Sequence, residues 1–125
     1  MNCWNGTGNL GFDPELKRTP SGGSVLNLRV AVDRTFRRKM ADGSVKYDKA
    51  TDWIDVVVWG HLAEVNAKYL QKGSKIGVRG ELRTRSYEDS QGNMKYVTEV
   101  HADEIEWHSR IKSKDEAEAT ATELD

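Results

Sequence analysis

Apolar residues along most of this chain recur at every second position, and that period predicts strands. Between Val25 and Phe36, Leu26, Leu28, Val30 and Val32 share one face, while Asn27, Arg29 and Asp33 share the other. Asp52 to Gly60 alternates more strongly, with Ile54, Val56 and Val58 on one side and Trp53, Asp55, Val57 and Trp59 on the opposite side. Ser74 to Tyr87 repeats the pattern with Ile76, Val78 and Leu82 inward, and Met94 to Trp107 follows a Gln91-Gly92-Asn93 turn as a last strand. The period changes once. From His61 to Gln71, Leu62, Val65 and Tyr69 with Ala63, Ala67 and Leu70 fall at helical spacing, and Gly73 stands where a helix-ending glycine is expected.

The connecting segments are polar. Gly11 to Ser24 holds both prolines and Ser21-Gly22-Gly23, which predicts a loop. Arg37 to Thr51 reads as a polar hairpin loop turning at Asp42-Gly43. Met1 to Leu10 takes the place of a first strand, although its glycines and asparagines suit a strand poorly. From Ser109 onward the periodicity disappears. The expectation is therefore one domain over residues 1–112 and a short acidic, disordered tail over residues 113–125.

Three strands, a helix and two strands give the order βββαββ. That order suits an all-β protein with one helix, the five-stranded Greek-key barrel of the OB-fold. A generic α+β sheet accommodates it equally well.

Charge adds an asymmetry to this picture. The chain carries 19 basic and 20 acidic side chains, which divide into +3 over residues 1–112 and −4 over residues 113–125. A basic body suits a polyanion, and an ordinary ionic surface explains the same balance. Cys3 is the only cysteine, so no intrachain disulfide forms. No apolar run reaches the length of a membrane span and no leader pattern opens the chain, so a cytoplasmic compartment is expected.

The outward residues carry the candidate chemistry. Trp53 and Trp59 share the face opposite Ile54, Val56 and Val58, roughly 20 Å apart at ~3.3 Å per residue. The next strand presents Lys75, Gly77, Arg79, Glu81, Arg83, Arg85 and Tyr87 outward, and Phe36 stands beside Arg34, Arg37, Arg38 and Lys39. Aromatic rings stack on any base while Arg and Lys follow the phosphates, so this combination points to single-stranded nucleic acid. A sheet covered on both faces would bury the same tryptophans as core.

Catalytic constellations are missing. His61, His101 and His108 do not combine with Cys3 at metal-ligand spacing, and Gly6-Thr7-Gly8 lacks the lysine and helix of a phosphate loop. No enzyme activity, catalytic residue, metal or cofactor is expected.

Several stretches resemble bacterial-type single-stranded DNA-binding proteins. These are Gly8-Asn9-Leu10-Gly11 with Asp13-Pro14-Glu15-Leu16, Thr19-Pro20-Ser21-Gly22-Gly23, the long run from Thr51 to Tyr87, and Tyr96-Val97-Thr98-Glu99-Val100. The resemblance spans nearly all of residues 8–107. It implies an OB-fold that protects unwound DNA in replication, recombination and repair, in the cytoplasm with the nucleoid, as a homo-oligomer and most often a tetramer. It places the stacking positions on Phe36, Trp53, Trp59 and Tyr87, and the phosphate contacts on Lys39, Lys72, Arg83 and Arg85. The chain departs from the family pattern in its polar first strand, at Asp55, and at Gly77 and Arg79 on a strand that often joins dimers. It ends Glu123-Leu124-Asp125 rather than in an acidic run with Pro-Phe, so recruitment of replication partners through that tip is not expected. Plasmid, phage and organelle members of the family fit these departures. Two other readings stay open: an OB-fold assembly factor of a replication-restart complex with weak nucleic-acid binding, and an RNA-binding OB domain.

Overall fold

Six strands and a helix follow one another in the computed structural model, which describes residues 1–108. They are β1 (Trp4–Leu10), β2 (Leu16–Arg18), β3 (Ser24–Lys39), β4 (Val45–Trp59), α1 (Gly60–Tyr69), β5 (Lys75–Glu88) and β6 (Met94–Trp107). The expected acidic tail, residues 113–125, lies outside the described residues. Neighbouring strands run β1-β5-β6-β4-β3-β2, and β1 also meets β3 at Asn9 and Leu10, which closes five strands into a barrel. All pairs are antiparallel except β4 with β6, where Val56 and Val57 face Val100 and His101. With β2 set aside as a short addition, the order is that of the OB-fold.

The alternating residues fill the barrel. Leu26, Leu28 and Val30 of β3 meet Val56 and Val58 of β4, Ile76 and Val78 of β5, and Val100 of β6 in one buried cluster. Helix α1 adds Ala63, and Leu70 follows directly behind it. Asn66 is the buried polar residue of the helix, and both ends of its amide are satisfied. Its Nδ2 donates to the Leu62 carbonyl at 2.8 Å, and its Oδ1 accepts from the Trp107 indole at 2.8 Å. Trp107 also lies against Tyr69, with ring centroids 5.2 Å apart. The last strand is thereby tied to the helix. Gly73, at φ 90°, does not end α1 directly. It occupies the third position of a reverse turn closed by Ser74 N–H to the Gln71 carbonyl, four residues beyond Tyr69, the last residue of the helix.

Two segments expected to be loops contain strand. Leu16–Arg18 pairs with Ser24 to Leu26. The β3–β4 ladder continues through the polar stretch as far as Lys39↔Val45, leaving only residues 40–44 for the turn. From Asp33 and Thr51 outward this ladder is an exposed two-stranded arm. Backbone hydrogen bonds propagate it without apolar residues to announce it. The β5–β6 hairpin makes a second arm beyond Leu82, which was expected inward and is 44% exposed because it stands where the barrel ends.

β1 shows why a strand carries Gly6 and Gly8. Trp4, Gly6, Gly8 and Leu10 face inward. The Trp4 ring folds over Gly6, where a methyl group would come within 2.3 Å of it. At Gly8 an added Cβ would stand 2.2 Å from the Ala31 carbonyl oxygen. The Trp4 ring thus takes the space a side chain at Gly6 would fill, and Gly8 lets β1 reach β3. The Asn2 side chain continues this edge by exchanging two hydrogen bonds with the Leu82 backbone, at 2.8 and 2.9 Å.

Gly8→Ala should therefore lower stability by about 1–3 kcal/mol, the usual penalty of overpacking. Urea unfolding measures it, and an unchanged midpoint would mean that β1 moves off β3 without loss.

Candidate nucleic-acid interface

In a strand ladder, residues directly opposite share a face, and so do residues two apart. On β4 the face opposite the core carries Trp53, Asp55, Val57 and Trp59. The pair Val57↔His101 carries that face onto β6, and Glu81↔His101 carries it onto β5. One continuous outer face therefore runs from Arg29 and Ala31 of β3 through the two tryptophans to His101 and Glu99, and on to Arg83, Arg85 and Tyr87. On β6 this parity ends at Asp103. Arg79 faces Glu104 while Gly80 faces Ala102, so Asp103 is an extra residue. The bulge turns Ile105 toward the core and sends Glu104 outward, where it joins Asp103 in pairing with Arg79 at 3.1 and 3.2 Å.

Trp53 and Trp59 are each 49% exposed. Trp53 lies over Gly11, with the Arg29 guanidinium 5.4 Å from its ring centroid. Gly11, Phe12, Arg29 and Trp53 line a depression of about 220 Å³. A base entering there meets an aromatic surface with a positive charge beside it.

Trp59 borders a larger depression of about 420 Å³, lined also by Glu81, Arg83, His101, Ala102 and Asp103. Its indole N–H faces His101 Nδ1 at 3.3 Å. An indole nitrogen only donates, so Nδ1 accepts and the imidazole proton sits on Nε2. That nitrogen faces Glu99 Oε1 at 3.3 Å. The same oxygen, on a nearly buried side chain, accepts from Arg85 Nε at 3.0 Å. Trp59, His101, Glu99 and Arg85 thus form one hydrogen-bonded chain across three strands. It orients a ring and a guanidinium together.

The residues singled out from sequence do not all meet. Trp53, Trp59, Arg83, Arg85 and Tyr87 share the outer face, with the Arg85 guanidinium 5.8 Å from the Tyr87 ring centroid. Lys39 lies on the same parity at the far end of the β3–β4 arm. Phe36 does not. The register runs from Val25↔Trp59 to Lys39↔Val45 without a bulge, so Phe36 takes the parity of Leu26, Leu28 and Val30, on the opposite side of the arm. Arg34 lies 5.6 Å from its ring centroid. Lys72 belongs to the turn after α1, where its backbone N–H donates to Asp13 Oδ1 at 2.7 Å, next to the loop that underlies Trp53. Sequence reading gave no role to His101, Glu99 or Arg29. Their signal was only their outward parity, because the contacts come from other strands.

The face is less basic than its arginines suggest. Arg83 Nε donates to Glu81 Oε1 at 2.7 Å, and Arg85 is held by Glu99. A phosphate reaching either guanidinium meets a carboxylate already in place.

Comparison with known proteins agrees with this geometry. The model of the single-strand binding protein family matches residues 4–108. Among solved structures, the chain is similar to one described as the Plasmodium falciparum SSB complex with ssDNA. It shares 24% identity at a TM-score of 0.76, over 87% of this chain and 96% of that one. That likeness shows the fold. The family match extends over all six strands and the helix, and the chain belongs to the single-strand binding protein family.

Proposed function

We propose that the chain binds single-stranded DNA without regard to sequence, stacking bases on Trp53, Trp59 and Tyr87 while Arg83, Arg85, Lys39 and Lys72 meet phosphates. One observation carries this reading: a single unbroken sheet face holds all three aromatic rings, half exposed, with guanidinium groups beside two of them. A duplex hides its bases and offers such rings nothing to stack on, whereas a single strand presents both bases and phosphates. Phe36, on the back of the arm, is reached by a strand that wraps around it. The biological setting that follows is protection of unwound DNA during replication, recombination and repair. The chain also self-associates in this reading, because among the described residues β1 from Trp4 to Thr7 pairs only with β5, which leaves its other edge open.

Titrating tryptophan fluorescence with oligo-dT, oligo-rU and a matched duplex tests the reading. Oligo-dT should quench strongly and the duplex weakly. Trp53→Ala and Trp59→Ala should each weaken oligo-dT binding by about 1–3 kcal/mol with the fold retained. Equal affinity for duplex would rule the reading out, and a preference for oligo-rU would redirect it to RNA.

The Glu81 contact supplies a second check. Glu81→Gln releases Arg83 and removes a negative charge from the face, so it should tighten oligo-dT binding, more at low salt than at high. Affinity unchanged at low salt would place the phosphates away from Arg83. For self-association, light scattering at micromolar concentration should report more than one copy, and a monomer would refute the β1 contact.

A further inference from the structure

The β3–β4 arm has two unlike faces. On the side that continues from the core, Phe36 is accompanied by two arginines that are already paired. Arg34 Nε lies 2.9 Å from Asp52 Oδ2, and Arg38 Nε lies 3.2 Å from Asp48 Oδ2. The other side continues the parity of Trp53. It carries Arg37, Lys39 and Lys49, and among the described residues none of the three forms an ion pair. Tyr47 stands among them, directly opposite Arg37 in the ladder and two residues from Lys49 on its own strand. It is 68% exposed and packs against no core residue. The acid nearest this cluster on the same face, Asp33, is at the base of the arm, where it accepts from the Thr51 hydroxyl at 2.8 Å.

We propose that this side of the arm is a further single-stranded DNA subsite, in which Tyr47 stacks a base and Arg37, Lys39 and Lys49 hold the flanking phosphates. The inference rests on the function proposed above and extends it to Tyr47, Arg37 and Lys49, which the family resemblance did not point to, beside Lys39, which it did. Tyr47 is six residues from Trp53 on the same strand and the same face, about 20 Å along it. A strand leaving Trp53 outward therefore meets an aromatic ring again without crossing an edge. The physical distinction from the Phe36 side is electrostatic. Phosphates approaching Arg34 or Arg38 must displace Asp52 or Asp48, while those approaching Arg37, Lys39 and Lys49 displace only counterions. Conformational entropy agrees: a two-stranded ribbon standing clear of the core is marginal alone, and a polyanion lying along it would order it.

The test uses the full chain and two oligo-dT lengths, about 4 and about 16 nucleotides, the two ends of the site size of an OB-fold. Tyr47→Ala should weaken binding of the long oligomer by roughly 5- to 150-fold, and binding of the short one much less. Tyr47→Phe keeps the ring and should restore binding. Arg37→Ala with Lys49→Ala should flatten the dependence of log affinity on log salt by about 0.7 per lost contact, again only for the long oligomer. Tyr47 is exposed, so urea midpoints should match wild type, which separates binding from folding. Wild-type affinity of Tyr47→Ala for the long oligomer, with Trp53→Ala still weakened, would overturn the subsite and leave the proposed function standing. Failure of Tyr47→Phe to restore binding would overturn stacking as its basis. Wild-type affinity in all three of Tyr47→Ala, Trp53→Ala and Trp59→Ala would overturn the proposed function and the subsite together.

Discussion

The register between β3 and β4 is the constraint from which the rest of this structure follows. A side chain on a strand points to one of two faces, and the pairing of neighbours decides which faces join. Because Val25↔Trp59 and Lys39↔Val45 belong to one unbroken ladder, Leu26, Leu28 and Val30 go inside together with Val56 and Val58. Trp53 and Trp59 are then left outside. A slip of one residue would bury the tryptophans and expose the valines. The apolar core therefore protects the outer aromatic face indirectly, by making any other register costly.

The same alternation is interrupted once on the far side of the barrel, and the interruption is useful. The extra residue at Asp103 lets Val100 and Ala102 face inward below it, and Ile105 above it. Trp107, paired with Ile76, comes to the end of the barrel where Asn66 and Tyr69 receive it. Below the bulge, His101 and Glu99 stay on the outer face beside Trp59. One inserted residue thus separates a strand segment that closes the fold from one that lines the outer face.

Electrostatics on that interface is an exchange more than an accumulation. Arg83 and Arg85 are bonded to Glu81 and Glu99, and Arg79 to Asp103 and Glu104. In the proposed function, a phosphate gains each such arginine at the expense of a carboxylate that must then be solvated or repelled. On that proposal stacking carries a larger share of the affinity at the barrel, and charge a larger share along the arm. The indole–imidazole–carboxylate–guanidinium chain adds a coupling, since the orientation of Trp59 and the availability of Arg85 pass through the same Glu99 oxygen.

The sequence by itself determined the strands, the helix and the separation of the two strand faces, because burial writes a period of two into β3, β4 and β5 and a period near four into α1. The barrel it implied only through the family resemblance, since the strand order suits a generic α+β sheet equally well. It also determined that aromatic and basic residues lie opposite the core. It did not reveal that strand continues through residues 37–39 and 45–51, since an exposed ladder is held by backbone hydrogen bonds that place no demand on side chains. Nor did it explain β1, where the glycines are required by the Trp4 ring and the Ala31 carbonyl, both of which arrive only on folding. Phe36 was grouped with the tryptophans by its basic neighbours in the chain, and only the register put it on the other side of the arm. Trp59, His101, Glu99 and Arg85 come from three strands. Which carboxylate holds which guanidinium is a property of that packing, because hydrogen bonds act over about 3 Å in space and are indifferent to distance along the chain.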